Sequence, residues 1–396
     1  MPLLTPADAD DLIERHVPRL PTESRALRAL YGKVLAQSVI AERDQPPFHR
    51  VTMDGIAIDS AAFIHGRREF AIAGSQQAGV PPQTLARREG CIEVMTGAVL
   101  PTGCDCVVPV ERIEVREGIA HIEESTEVAA GLNVHPCGYD GRANETLLVP
   151  GTRLGAAEIA VIASAGLPSV QVAAAPRIMV VSTGDELIEP GEPLLDWQIR
   201  RSNAYAVLAA LHSHGFAELG DDHLPDDLPT LRSRLATHLD THDILVLSGG
   251  VSMGRFDLVP QVLAELDVRV VFHKIAQRPG KPMWFGVRAD GKAVYALPGN
   301  PVSTLICFRR YVIRGLYTAM GARPQPPELI ALHDDFEVKP ALSLFLPVTL
   351  KSGAAVPHPT RGSGDFISLL GTQGFVELPP GPGICRKDEL AALYRW

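Results

Sequence analysis

The sequence predicts an α/β protein of several domains, built around a doubly wound, mostly parallel sheet. Three observations predict it. From Arg177 the apolar runs RIMVVS, DILVLS and VRVVF alternate with segments of helical spacing, which is the pattern of a parallel sheet covered on both faces. Between Val34 and about Asp140, short apolar runs alternate with Gly and Pro breaks, as in a β-rich domain. After the proline-rich ARPQPPEL, the chain returns to short alternating strands. At 396 residues it is too long for one ordinary core.

Taken in order, Thr5 caps a first helix over PADADDLIERH, with Pro6 in its first turn. Ser24–Tyr31 is expected to form a second short helix stopped by Gly32. The β-rich part follows, then a Gly- and Pro-punctuated return segment, and a helix over Ala156–Ala165. In the sheet domain, Ser202 is expected to cap NAYAVLAALHSHG, and Pro229 to start TLRSRLATHL. KPMWFGVR and KAVYALPG flank ADGK, expected as a two-residue hairpin turn that adds an antiparallel partner. One long helix is expected over VSTLICFRRYVIRGLYTAM. The expected domains are 1–40 with 141–174 (helical and linker), 41–140 (inserted, β-rich), 175–322 (α/β) and 323–396 (a small, barrel-like β domain).

Composition narrows the function. Hydrophobic residues make up 46% and charged residues 21%, as in a soluble globular chain, and the net charge is −9. No basic run offers a nucleic-acid footprint, so any bound anion must be caught in a local pocket. Cys91, Cys104, Cys106, Cys137, Cys307 and Cys385 show no C-x-x-C or zinc spacing, as expected of free thiols in a reducing cytoplasm. No secretory signal and no run of about 18–20 apolar residues argue against export or a membrane partner.

In a doubly wound sheet, ligands bind beyond the C-terminal strand ends, so four loops carry weight. They are STGDEL (Ser182, Thr183, Gly184, Asp185, Glu186), PDD (Asp226, Asp227), SGGVSMGRFD (Ser248, Gly249, Gly250, Ser252, Gly254, Asp257) and PGNPVS (Pro298, Gly299, Asn300, Pro301, Ser303). One Gly-Gly loop alone reads as a tight turn. Two such loops plus STG on one edge read as an anion cradle of backbone N–H groups and hydroxyls. Lys274, Arg278 and Lys281 supply cations beside them. Asp185, Glu186, Asp226, Asp227 and Asp257 lie on the same edge and would repel a phosphate unless a divalent ion such as Mg²⁺ intervenes, which suggests a phosphate–metal site. Asp227, before Leu228 and Pro229, fits a helix cap instead.

In this order, TMDG, MTGAVLPTGCDCVVPVE, PGTRL, VSTGDEL, SGGVSMG, RPGKP and LPGNPVS resemble the molybdopterin molybdenumtransferase family (bacterial MoeA and the E domain of gephyrin). The resemblance covers nearly the whole chain. It implies a four-domain subunit with a molybdopterin-binding sheet domain, paired as a homodimer. It also implies an active site between the sheet domain of one subunit and the β-rich domain of the other, which makes site residues of Asp54 and Thr96 and adds Asp140. The implied reaction inserts molybdate into adenylyl-molybdopterin with Mg²⁺ and release of AMP. A transient contact with the molybdopterin adenylyltransferase is a further expectation.

The chain departs from the family pattern. The usual S-A-M-D-G-Y is VTMDGI, GED is GYD with Tyr139, and D-S-N is Arg201-Ser202-Asn203. Arg255 follows SGGVSMG where an acid is frequent, and Arg278 stands for a lysine. Tyr139, Arg201 and Arg255 each remove or reverse a negative charge. Two other readings therefore stay open: a non-catalytic scaffold that passes cofactor along, and a CinA-like hydrolase of pyrophosphate-linked nucleotides.

Overall fold

The computed structural model describes residues 3–250, 258–339 and 341–396. The chain divides into two compact units. Met1–Ala36, Pro150–Gly155 and Val170–Trp396 form the first, and Gln37–Val149 with Ala156–Ser169 the second.

The first unit is built on a six-stranded sheet in the order 219–224, 178–183, 244–248, 292–297, 284–288, 268–273. The first four strands are parallel, and 284–288 runs antiparallel to both its neighbours. Ile178–Thr183 and Ile244–Ser248 are buried at every position, as strands covered on both faces must be. On one face lie Val207 and Leu211 of the Asn203–Ser213 helix, Ile13 of the first helix, and Tyr311 and Leu316 of the long helix. The other face takes Leu231, Leu235 and Leu239 of Leu228–Thr241, and Val259, Val262 and Leu263.

Local sequence explains most helix starts. The Thr5 hydroxyl accepts from the Asp8 N–H at 3.1 Å while the Asp8 carboxylate accepts from the Thr5 N–H at 2.9 Å, a reciprocal capping box. Asp227 caps Leu228–Thr241 through the Thr230 N–H at 3.0 Å.

Four local expectations need correction. Ser24–Tyr31 is not a helix: Thr22–Ala26 is a strand paired with Ser169–Ala173, and Leu27–Ala29 is a single 3₁₀ turn. TESRA has no apolar stripe to bury, so strand pairing satisfies its backbone instead. The hairpin loop holds three residues, not two. Arg288 pairs with Lys292, and Gly291 takes φ +89° after a turn closed by its N–H to the Arg288 carbonyl at 3.1 Å. Ser202 stands at the cap position of Asn203–Ser213, but its side chain makes no capping bond. The long helix is not uniform: Pro301–Cys307 widens into a π-helical turn, Phe308–Val312, before Ile313–Ala319 continues.

The strands Ser343–Lys351, Ala354–Pro357, Glu328–Leu332, Leu390–Arg395 and Gly374–Leu378 pair in that order, and the last returns to the first. This closed barrel carries Gln277–Arg278 in parallel on its 343–351 strand. Arg310, from the π-helical turn and only 5% exposed, joins three elements. Its guanidinium donates to both Asp10 oxygens at 2.6 and 2.8 Å and to Glu377 at 2.9 Å.

The second unit holds another six-stranded sheet, in the order 106–109, 55–58, 90–94, 69–76, 119–122, 113–116. Its pairs are antiparallel except 69–76 with 90–94. The helix Ala156–Ser164 groups with this unit.

Two stability measurements check this account. Arg310→Met leaves the partly buried Asp10 and Glu377 carboxylates without their shared cation, and is expected to cost about 2–4 kcal/mol in urea unfolding. Asp243 binds the Arg177 guanidinium at 2.9 and 3.2 Å, the Arg177 N–H at 3.0 Å and Lys292 at 3.4 Å. Burial alone would raise its carboxyl, yet these partners hold it down at about 2. A carboxyl more acidic folded than unfolded stabilises the fold above its unfolded value near 3.8, and that stability is lost as pH falls towards 2. Asp243→Asn is expected to lower stability by about 2 kcal/mol at pH 7, with the gap to the parent narrowing below pH 3.

Candidate functional site

In the first unit's sheet, Ser182 lies beside Ser248, and Ser248 beside Leu297. Every residue that follows this row leaves at one edge, the C-terminal edge where open α/β sheets bind ligands. A cleft of about 660 Å³ opens there. Ser182, Thr183, Gly184, Glu186, Asp226, Ser248, Gly249, Gly250, Pro298, Gly299, Asn300 and Pro301 all line it. Asp185 contributes from behind: its carboxylate accepts the Asp226 N–H at 3.1 Å and ties two of the loops together.

The glycines are required by space as much as by flexibility. Gly249 has φ +99°, and a Cβ there would stand 2.7 Å from the Thr183 carbonyl oxygen. At Gly250, φ +64°, it would stand 2.7 Å from a Val259 methyl and 2.8 Å from the Thr183 hydroxyl. The Gly249 N–H reaches the Leu297 carbonyl at 3.3 Å, so the SGG and PGNP loops brace each other.

Asn203 binds them from a third side. Its Nδ2 donates to Ser248 Oγ at 2.9 Å and to the Gly299 carbonyl at 2.8 Å. The carbonyl partner fixes the orientation of the amide and turns Oδ1 away from both loops. Asn203 Oδ1 and Thr183 Oγ1 are buried and have no hydrogen-bond partner among the described residues, and both residues line the cleft. Both atoms are covered by protein, so what Thr183 and Asn203 supply to the cleft is support for its two glycine-bearing loops.

Arg201 is 4% exposed and its charge is matched locally. It bonds Glu189 at 2.6 Å, Asp221 at 2.7 Å and Ser182 Oγ at 3.1 Å. An arginine at this position therefore stiffens the cleft floor without adding a free positive charge. Tyr139 is exposed and packs edge-on against His135, 5.1 Å between ring centres.

The structure does not bring the predicted cations into this cleft. Arg278, Lys281 and Ser303 line an adjoining groove of about 610 Å³, which shares Pro282, Pro298 and Asn300 with it. Lys274 lines neither. It follows the 268–273 strand at the same sheet edge, three strands along from Ser248, or roughly 14 Å at ordinary strand spacing. Ser252, Gly254, Arg255 and Asp257 lie outside the described residues.

In the second unit, Asp54 and Thr96 meet directly. Asp54 Oδ1 accepts from the Thr96 N–H and hydroxyl, both at 2.7 Å, and these two bonds, the N–H first, lower its pKa. Gly55 is required here because a Cβ would overlap the Val108 carbonyl. The Arg50–Val51 strand leads into this turn and pairs with Val134–His135, whose His135 meets Asp140 at 2.9 Å. TMDG, MTGA and GYD thus gather around one short strand.

Sequence reading missed Asn203 and the barrel's share of the walls. Gly364 lines the cleft, and Ser363 accepts from Asn300 Nδ2 at 2.7 Å while its carbonyl takes the Val302 N–H at 3.0 Å. Asn203 did carry a signal, as the first helical residue after a polar loop at the ligand edge. The 360–364 segment carried none.

Among the described residues, no helix is long and apolar enough to cross a membrane. Residues 4–166 match the family model described as "MoeA N-terminal region (domain I and II)", and 179–317 match "Probable molybdopterin binding domain". The solved structure of a molybdopterin biosynthesis MoeA protein from Pyrococcus horikoshii OT3 aligns over all of both chains, with a TM-score of 0.84 at 26% identity. A molybdopterin molybdenumtransferase of Staphylococcus epidermidis is 29% identical over 88% of this chain and 85% of its own. That of Synechocystis sp. is 37% identical over 100% of both chains. With this end-to-end likeness, and with its polar loops gathered at the ligand edge of the sheet, the chain belongs to the molybdopterin molybdenumtransferase family.

Proposed function

We infer that the protein transfers molybdenum to molybdopterin in molybdenum cofactor biosynthesis, and that the sheet-edge cleft receives the pterin substrate. Named relatives support the activity. The observation that carries the assignment of the cleft is the convergence of the STG, SGG and PGNP loops on one sheet edge, braced by Asn203. The Gly299 and Asn300 amides, which donate to no backbone carbonyl among the described residues, suit phosphate oxygens.

The finer reading is that the substrate is adenylyl-molybdopterin and that molybdate is the co-substrate. Water cleaves the phosphoanhydride, giving AMP and the phosphate of the finished cofactor. Glu186 and Asp226 suit Mg²⁺, which takes one or two carboxylates and completes its shell with substrate oxygens. No group of three or more His, Cys, Asp or Glu that could hold a metal ion occurs among the described residues, so the ion would sit where these carboxylates meet the substrate phosphates. Bound there, Mg²⁺ offsets phosphate charge beside the acids. Arg278 and Lys281, in the adjoining groove, suit the molybdate oxyanion. The proposed working form is a cytoplasmic homodimer in which Asp54, held by Thr96, serves the cleft of the partner subunit. Delivery of substrate by the molybdopterin adenylyltransferase completes the proposal.

The direct test gives the purified protein adenylyl-molybdopterin, Mg²⁺ and molybdate, and assays AMP and active cofactor. Both are expected, and both should depend on molybdate. Binding without turnover would instead indicate a scaffold, and AMP without cofactor a hydrolase. Gly249→Ala pushes the loop off the Thr183 carbonyl and is expected to lower kcat/KM about a hundredfold with the fold retained by circular dichroism. Asp54→Ala is expected to abolish cofactor formation while leaving pterin binding to the first unit measurable by titration; full activity in this variant would refute its role.

A further inference from the structure

A separate cavity of the first unit, of about 330 Å³, shares no lining residue with the cleft. The second half of the long helix, the proline-rich segment after Gly321 and the last barrel strand enclose it. Arg153, Arg309, Arg310, Arg314, Arg323 and Arg395 all line it, against the single acid Glu328 among the described residues. Three of these charges are matched. Arg395 takes Glu328 at 2.6 and 2.8 Å, Arg310 takes Asp10 and Glu377, and Arg314 reaches Glu14 at 3.4 Å and Asp10 at 3.6 Å.

Arg153, Arg309 and Arg323 have no carboxylate partner among the described residues. The Arg153 guanidinium lies 4.6 Å over the Tyr317 ring, and that of Arg309 lies 6.0 Å from the Tyr394 ring. Arg309 Nε also donates to the Arg395 carbonyl, so its terminal N–H groups, with those of Arg153, are the ones left to fork onto an oxyanion. Arg309 is partly buried, and burial works against its charge. Burial, and then the charges of Arg309 and Arg153, push the lining residue His214 down to about 4. Its imidazole is therefore neutral at pH 7, with burial the main cause and the two arginine charges adding to it.

We propose that this cavity is a binding site for a phosphate group, free or carried on a small molecule, held by Arg153, Arg309 and Arg323. A dianion supplies the negative charge that these arginines lack, and guanidinium groups fork readily onto its oxygens. The volume falls at the low end of the range for small-ligand sites, and so admits an organic portion beside the phosphate. The proposal is independent of the chemistry assigned to the cleft.

The test titrates the full-length protein with inorganic phosphate and, separately, with AMP. The His214 resonance is followed by NMR, assigned by its loss in His214→Gln. Saturable binding is expected to raise the His214 midpoint by about one pH unit or more, because an anion beside the ring favours its charged form. Arg153→Gln with Arg323→Gln, both at exposed positions, is expected to weaken this effect by about tenfold or more. AMP acting at lower concentration than phosphate identifies a carried phosphate group, and equal potency identifies the free ion. A His214 midpoint that neither probe moves, or a shift that persists unchanged in the double variant, overturns the proposal. Loss of transferase activity has no bearing on either readout, so failure here and failure of the cleft assignment are distinguishable.

Discussion

Ser182, Ser248 and Leu297 stand side by side in the parallel sheet, and the rest of the cleft depends on that row. Parallel strands in register must release their loops together, so three polar segments far apart in sequence reach the same rim. The register is fixed by apolar strands buried on both faces. A slip of one residue would turn every side chain to the other face. The hydrophobic core thereby sets the polar geometry. The SGG and PGNP loops meet because their strands are neighbours, and Asn203 can hold both because its helix packs across them.

Charge in this acidic chain is arranged by pairing as much as by excess. Arg201 at the cleft floor is matched by Glu189 and Asp221, and Arg310 by Asp10 and Glu377. Both are nearly buried, where a lone guanidinium would be costly. In the cavity lined by the second half of the long helix the pairing is incomplete, because Arg153, Arg309 and Arg323 have no carboxylate partner among the described residues. That imbalance is what the proposed phosphate group answers.

The alternation of strand and helix after Arg177 is legible because buried parallel strands require unbroken apolar runs and their helices require periodic ones. The loops at the strand ends are legible for the same reason, since glycine, serine and proline concentrate there. What sequence could not supply is mostly long-range. TESRA becomes a strand only because Ser169–Ala173 lies beside it. Arg201, taken alone, looks like a reversal of charge, and only the positions of Glu189 and Asp221 turn it into an internal rivet. The cations of HKIAQRPGKP are close in sequence, yet the chain folds so that Lys274 ends a strand while Arg278 and Lys281 enter a different groove. Proximity along a loop does not imply convergence in space.

The C-terminal barrel is closed upon itself, yet it accepts Gln277–Arg278 as an extra parallel strand and lends Ser363 to the PGNP turn. It is thus a wall of the cleft rather than an appendage hung on a linker. A shortened chain ending near Gly321 would keep its sheet but lose the brace on two of its ligand-facing segments. For a protein of this architecture, trimming the tail removes a wall of the cleft along with the barrel.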